Sequence, residues 1–145
     1  MKKNKNIRIA IVGSSFRREV AEELEKRCIA TLRKHGVDAP DCFRVPGAME
    51  IPLMAKRLAA KRRYDAIIVF GAVVKGATYH FEQVADECAR GCMQVAYDYG
   101  IPVVYEVLAV YKLRDAMTRA TRKKENKGEE AAKTALAMVQ ALRTV

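Results

Sequence analysis

A sequence of 145 residues can build one domain with a sizeable core but is too short for two ordinary domains, so we expect a single domain over residues 1–145. Half of the residues are hydrophobic and 30% are charged, which excludes a disordered or collagen-like chain. Lys and Arg number 27 against 17 Asp and Glu, and the net charge of +10 favours anionic partners.

The predicted elements alternate between strand and helix from the start of the chain. A β-branched run predicts a strand over residues 7–12, and the next apolar pattern predicts a helix from about Arg17 to His35. A short strand is expected over residues 42–45. The following helix has Pro52 near its beginning, where proline is tolerated, and runs to about Lys61.

The second half of the chain continues the same alternation. The most apolar run, residues 65–74, predicts a central strand that is buried on both faces. A long helix is expected from about Phe81 to Tyr99, a strand over residues 103–110, a short helix from about Leu113 and a last helix from about Glu129 to Leu142. The alternation predicts an α/β fold, a doubly wound sheet of four parallel strands with helices on both faces.

Candidate functional residues follow these strands, because parallel sheets bind ligands beyond the carboxyl ends of their strands. Phe16 either stacks on a planar ligand or packs against the next helix, and Glu50 either contacts a ligand or interacts with a helix dipole. Gly76, Ala77 and Thr78 turn the chain from a strand into a helix, which predicts an anion site, with phosphate as the obvious anion. His80 is predicted to transfer protons there, since imidazole titrates near neutral pH.

Other classes of function find little support in the residues. No Cys and His set has a zinc-like spacing, and we expect the cysteines to be free, buried thiols. Nucleic-acid binding is not expected, because no aromatic residues interleave the basic stretches, and a dinucleotide site lacks its glycine motif. No apolar run is long enough for a membrane span, and no cleavage site follows the basic start, so we expect a cytoplasmic protein.

Five motifs stand in a fixed order along the chain. They are VPGAMEIP at 45–52, YDAIIVFGAVVKGATYHFEQVA at 64–85, IPVVYEVL at 101–108, TRA at 118–120 and NKG at 126–128. In order and spacing this set closely resembles the 6,7-dimethyl-8-ribityllumazine synthase family of riboflavin biosynthesis. The resemblance implies a three-layer α/β/α sandwich of flavodoxin-like topology and a transferase without metal or organic cofactor. It also implies a homopentamer or a shell of sixty subunits.

The reaction implied by the resemblance joins 5-amino-6-(D-ribitylamino)uracil to 3,4-dihydroxy-2-butanone 4-phosphate, releasing the lumazine, phosphate and water. The pyrimidine would stack on Phe16. The residues expected beside its ribityl chain are Ala48, Met49 and Glu50, with Glu50 accepting hydroxyl hydrogen bonds. The residues whose backbone would meet the polar edge of the ring are Ala72, Val73 and Val74.

The phosphate side of the site is carried over in the same way. Ala77 and Thr78 would hold the butanone phosphate, and His80 would be the catalytic proton donor. Tyr105 and Arg119 match positions that family members present from a neighbouring subunit, at the ring and at the phosphate. Lys127 would add positive charge nearby.

Several positions depart from the family pattern. They are Arg17 in place of Asn, Met49 in place of an aromatic residue, Glu106 in place of Gly, and Ala109-Val110 in place of a Thr pair. They leave a second function open, that of a self-assembling scaffold or cage component, natural or engineered, with weakened activity.

Overall fold

A computed structural model describes residues 4–145, so Met1 to Lys3 of the predicted domain lie outside the described residues. The elements are β1 (Ile9–Ser14), α1 (Arg18–Lys34), β2 (Asp41–Val45), α2 (Ile51–Ala60), β3 (Ala66–Val74), α3 (His80–Tyr99), β4 (Val103–Val110), α4 (Leu113–Thr121) and α5 (Lys127–Leu142). One 3-10 turn, Ala48–Glu50, lies between β2 and α2. The predicted α/β class is confirmed, and every predicted strand and helix is present.

The four strands form one parallel sheet in the order β2-β1-β3-β4. Val12 of β1 pairs with Phe43 of β2 on one side and with Val69 of β3 on the other. The order reverses between β1 and β3, as in flavodoxin-like sheets, and this switch point is where such folds open a crevice for ligands.

Helices cover both faces of the sheet. Ile68 and Phe70 of β3 face α1, α4 and α5, whereas Ile67 and Val69 face α2 and α3. All four side chains are fully buried. Burial on both faces explains why β3 reads as a continuous apolar run and not as an alternating strand.

Asn126 organises the connection between α4 and α5. Its side-chain oxygen accepts hydrogen bonds from the backbone N–H groups of Gly128 and Glu129 at 3.0 and 3.1 Å. Its amide donates to the carbonyls of Ala120 and Arg122, both at 2.9 Å. This cap starts α5 directly after Asn126, two residues before the predicted start.

The cysteines are free thiols, as expected, and Cys28, Cys88 and Cys92 are buried. Cys42 is exposed, which corrects the expectation that all four would be buried. It lies on β2, an edge strand whose outer face has less cover. Over residues 4–145, no helix has the length and apolar character that crossing a membrane requires.

Candidate active site

A cavity of about 420 Å³ opens at the carboxyl ends of β1, β2 and β3, at the switch point of the sheet. Its predicted lining residues are Phe16, Ala48, Met49, Glu50, Ala72, Val73, Val74, Thr78 and His80. These residues come from three separate segments of the sequence. The fold therefore brings both halves of the predicted site, the ring side and the phosphate side, into one opening.

Phe16 projects from the corner between β1 and α1. Backbone hydrogen bonds tie this corner to the end of β2, from Ser15 to Val45 at 2.7 Å and from Phe16 to Pro46 at 2.9 Å. The Ser14 hydroxyl donates to the Phe16 carbonyl at 3.0 Å. The ring itself is 66% exposed, so the alternative that Phe16 packs as a core residue against α1 is not what the structure has.

The segment after β2 forms the adjoining wall. Ala48 is buried, while Met49 is 51% exposed at the rim. One carboxylate oxygen of Glu50 accepts a hydrogen bond from the backbone N–H of Gly47 at 3.1 Å. Glu50 therefore has a local structural role, and its second oxygen is available to accept hydrogen bonds from a ligand.

The end of β3 forms the floor. Pairing between β1 and β3 ends at Gly13 and Phe70, whereas pairing with β4 continues to Val74. Ala72, Val73 and Val74 thus extend beyond β1, and their backbone groups on that side have no strand partner. Such groups need hydrogen bonds from water or from a ligand.

The start of α3 borders the floor. Tyr79 occupies the cap position without a side-chain hydrogen bond, so the first backbone N–H groups of α3 are not satisfied within the helix. Gly76, Ala77 and Thr78 lead into this helix and are exposed; Ala77 lies between two lining residues but does not line the cavity itself. His80 begins the helix. The helix dipole and the free N–H groups favour an anion at this point.

The acidic residue in the first turn of α3 does not oppose such an anion. Glu82 forms an ion pair with Lys75, and this hydrogen bond lowers the pKa of the Glu82 carboxyl group. The Lys75 ammonium also lies 5.4 Å from the centre of the Phe81 ring. The charges of Glu82 and Lys75 therefore cancel, and the start of α3 keeps the partial positive charge of the helix dipole.

Besides Ala77, three predicted site residues lie outside this cavity in the single chain. Tyr105 packs against α3, and burial raises the pKa of its hydroxyl group. A guanidinium nitrogen of Arg119 donates to the carbonyl of Asp115 at 2.9 Å, and Lys127 forms an ion pair with Glu130 at 2.9 Å. One subunit therefore does not bring these residues to the cavity.

Sequence reasoning did not assign three further lining residues, Arg17, Phe81 and Val84. Phe81 and Val84 belong to one apolar face of the helix predicted from about Phe81 to Tyr99 and were given no role at the site. Their spacing of three residues, directly after the turn, was the available signal that they also face the end of β3. Arg17 was noted only as a departure from the family pattern.

Residues 6–143 match the family model described as 6,7-dimethyl-8-ribityllumazine synthase. The chain belongs to this family. The lumazine synthase family is a family of transferase enzymes linked to riboflavin biosynthesis, with small-molecule substrates and typically an oligomeric assembly. Among the described residues, no group of three or more His, Cys, Asp and Glu side chains is placed to hold a metal ion.

Proposed function

We propose that this chain condenses 5-amino-6-(D-ribitylamino)uracil with 3,4-dihydroxy-2-butanone 4-phosphate to form 6,7-dimethyl-8-ribityllumazine, phosphate and water, in the cytoplasm. One observation carries the proposal. A single cavity brings together the exposed ring of Phe16, the carboxylate of Glu50, the unpaired backbone at the end of β3 and the uncapped start of α3 with His80. These groups match the needs of a planar ring, a polyol chain and a phosphate.

The ring side holds the uracil. Phe16 stacks on the ring, and its exposure of 66% leaves the area that stacking requires. The ring has its own donors and acceptors, which pair with the backbone of Ala72, Val73 and Val74 beyond the end of β1. Ala48 and Met49 line the ribityl chain, and Glu50 accepts hydrogen bonds from its hydroxyl groups.

The phosphate side holds the butanone. Ala77 and Thr78, together with the free N–H groups at the start of α3, bind the phosphate. The 5-amino group of the uracil attacks the ketone, and loss of a first water gives a Schiff base. Phosphate then leaves by β-elimination, and the resulting enol becomes a ketone. The ribitylamino nitrogen attacks this ketone, and loss of a second water closes the ring. His80 moves protons in these steps, and holding both substrates together supplies much of the rate.

A second subunit completes the site in this proposal. Tyr105, Arg119 and Lys127 lie outside the cavity of their own chain, so they act at a neighbour's cavity in a homopentamer or a shell of sixty subunits. Arg119 contacts the phosphate, and Lys127 adds charge beside it. No cofactor takes part.

Turnover with purified protein tests the proposal. The two substrates are mixed with the chain, and formation of the lumazine is followed by absorbance while each substrate is varied. We expect His80→Ala to lower kcat by about 10²-fold, the low end for a general acid or base. His80→Gln, which keeps a polar side chain at the helix start, should lose a similar factor.

Arg119→Ala should act on binding instead. It removes a charge-assisted contact worth about 1.5–3 kcal/mol, so we expect a KM for the butanone phosphate at least tenfold higher. Arg114→Ala, an exposed arginine of the same helix, is the matched control and should behave like the parent. A parent that forms no lumazine would contradict the proposal and favour the scaffold function.

A further inference from the structure

Arg17 lies beside the exposed Phe16 ring of the cavity. Its guanidinium carbon is 5.2 Å from the centre of the Phe16 ring, the distance of a cation–π contact. The residue also lines the cavity. A ligand ring that stacks on Phe16 therefore lies close to this positive charge.

The backbone holds Arg17 in an unusual conformation. Its φ of 57° and ψ of 44° are left-handed, and it is the cap residue of α1. Few residues other than Gly, Asn and Asp adopt this conformation readily. The backbone conformation therefore does not explain why an arginine occupies this corner. The explanation has to come from what its side chain does.

The charge of Arg17 is not neutralised by an ion pair with any described residue. Its neighbour Arg18 forms an ion pair with Glu22 at 2.6 Å, whereas Arg17 has no such partner among residues 4–145. The Nε atom of Arg17 is buried and has no hydrogen-bond partner among the described residues. This buried donor is therefore unsatisfied, and no described acceptor compensates the charge of the guanidinium group at this atom.

The other charged groups of the cavity do not replace it. Among the described lining residues, the ionisable side chains are Arg17, Glu50 and His80, and Arg17 is the one with a permanent positive charge. The Glu50 carboxylate already accepts a hydrogen bond from the backbone N–H of Gly47. The permanent positive charge among these lining residues therefore lies beside the Phe16 ring.

We infer that Arg17 makes this cavity bind a planar heterocycle with a negative charge on the ring more tightly than a neutral ring of the same shape, so that an anionic ring competes with the neutral pyrimidine of the substrate. The inference rests on the proposed function, because it takes both rings to stack on Phe16 at the position of that pyrimidine. The guanidinium group lies beside the Phe16 ring and attracts a negative charge that is delocalised over a ligand ring stacked there.

Two non-reacting ligands test this selectivity. 6-(D-Ribitylamino)uracil lacks the amine needed for condensation and has a neutral ring near neutral pH. Its 5-nitro derivative has an acidified ring that is ionised near neutral pH. The measured quantity is the ratio of their dissociation constants, determined by calorimetry for the assembled protein.

Arg17→Asn suits the left-handed backbone, and Arg17→Gln keeps more of the side-chain length; both remove the charge. We expect each to reduce the preference for the anionic ligand by about tenfold relative to the parent. Arg18→Asn removes one charge from the adjacent, exposed position and should leave the ratio unchanged. In acidic solution, where the nitro ligand is neutral, the ratios of parent and variants should converge.

The outcomes separate this inference from the proposed function. If both ligands bind but the Arg17 variants keep the parent's ratio, or if Arg18→Asn changes it equally, the inference is wrong and the proposed function stands. If neither ligand binds the parent, the ring site of the proposed function is wrong, and the inference falls with it.

Discussion

At the scale of single residues, Glu106 shows how a departure from the family pattern changes the chemistry of the chain. It lies on β4, half-buried, on the side of the sheet that α5 covers. Burial raises the pKa of its carboxyl group to about 7; the charge of Lys127 opposes this shift, and that of Glu130 adds to it. A glycine at this position would bring no titrating group.

We predict that Glu106 makes the folded state less stable as pH rises. In the unfolded chain its pKa is near 4.5, so between about pH 4.5 and about pH 7 the folded state binds more protons than the unfolded state. The contribution of Glu106 to the free energy of unfolding therefore falls as pH rises through that window. Urea unfolding at several pH values should show Glu106→Gln gaining stability relative to the parent as pH rises through this window.

The control for this experiment is Glu19→Gln, which removes an exposed carboxylate from α1. It should retain the pH dependence of the parent. Parallel curves for the parent and Glu106→Gln would show that Glu106 titrates in the folded protein as it does in the unfolded chain.

At the scale of elements, Gly128 sets how closely α5 approaches α1. A Cβ atom at this position would lie 2.4 Å from the carbonyl oxygen of Leu24 and 2.9 Å from the Cβ of Arg27. Both obstacles belong to α1, and one is backbone, so the two helices have to separate to admit a side chain. Glycine is required here for space and not for its backbone conformation.

We predict that Gly128→Ala lowers the free energy of unfolding by about 1–3 kcal/mol through overpacking. Gly76→Ala is the matched control, because a Cβ atom there meets nothing within 4 Å. It should change stability by less than about 0.5 kcal/mol. Denaturant unfolding of both variants measures the difference, and equal midpoints would show that α1 and α5 adjust without cost.

Asn126 stabilises the start of the same helix. We predict that Asn126→Ala lowers the free energy of unfolding by about 2–3 kcal/mol, because it removes a helix cap and leaves the carbonyls of Ala120 and Arg122 without their donor. Asn126→Ser keeps a cap oxygen and should recover part of the loss. Thermal and urea unfolding report both changes; a Ser variant no better than Ala would assign the whole effect to the lost amide donors.

At the scale of the whole molecule, the described chain leaves large apolar side chains exposed around the cavity. Phe16, Tyr79 and Tyr111 are 66%, 69% and 75% exposed, and Met49 is 51% exposed. Several exposed apolar side chains in one region are typical of an interface. Its position at the cavity agrees with a site completed by a neighbouring subunit.

We predict that the protein is a pentamer or a multiple of one, measured by light scattering and native mass spectrometry. Complementation tests whether sites are shared. His80→Ala and Arg119→Ala, each impaired alone, should regain turnover when co-expressed, because some interfaces then combine an intact His80 with an intact Arg119. A monomer at micromolar concentration, or no recovery in mixed assemblies, would contradict a shared site.

Much of the fold could be predicted from the sequence, because hydrophobic periodicity reports directly on burial. The continuous apolar run of β3 and the spacing of four residues from Val20 to Leu32 of α1 both became buried faces. The start of α5 was placed two residues late, because Asn126 was taken as part of a polar loop. Its capping hydrogen bonds depend on carbonyls at the end of α4.

By itself the sequence determined the α/β alternation, the family and the segments that line the cavity, since each of these depends on local pattern or on ordered motifs. Only the tertiary structure decided whether Phe16 is exposed or packed, and which group Arg17 contacts. Phe16 is exposed and not packed, because hydrogen bonds to Val45 and Pro46 hold its corner out from α1. Arg17 reaches Phe16 because of a left-handed backbone that residue type does not predict. Contacts between segments distant in sequence hold the Phe16 corner, and local propensity carries no information about such contacts. For Arg17, local propensity points away from the conformation that the structure has.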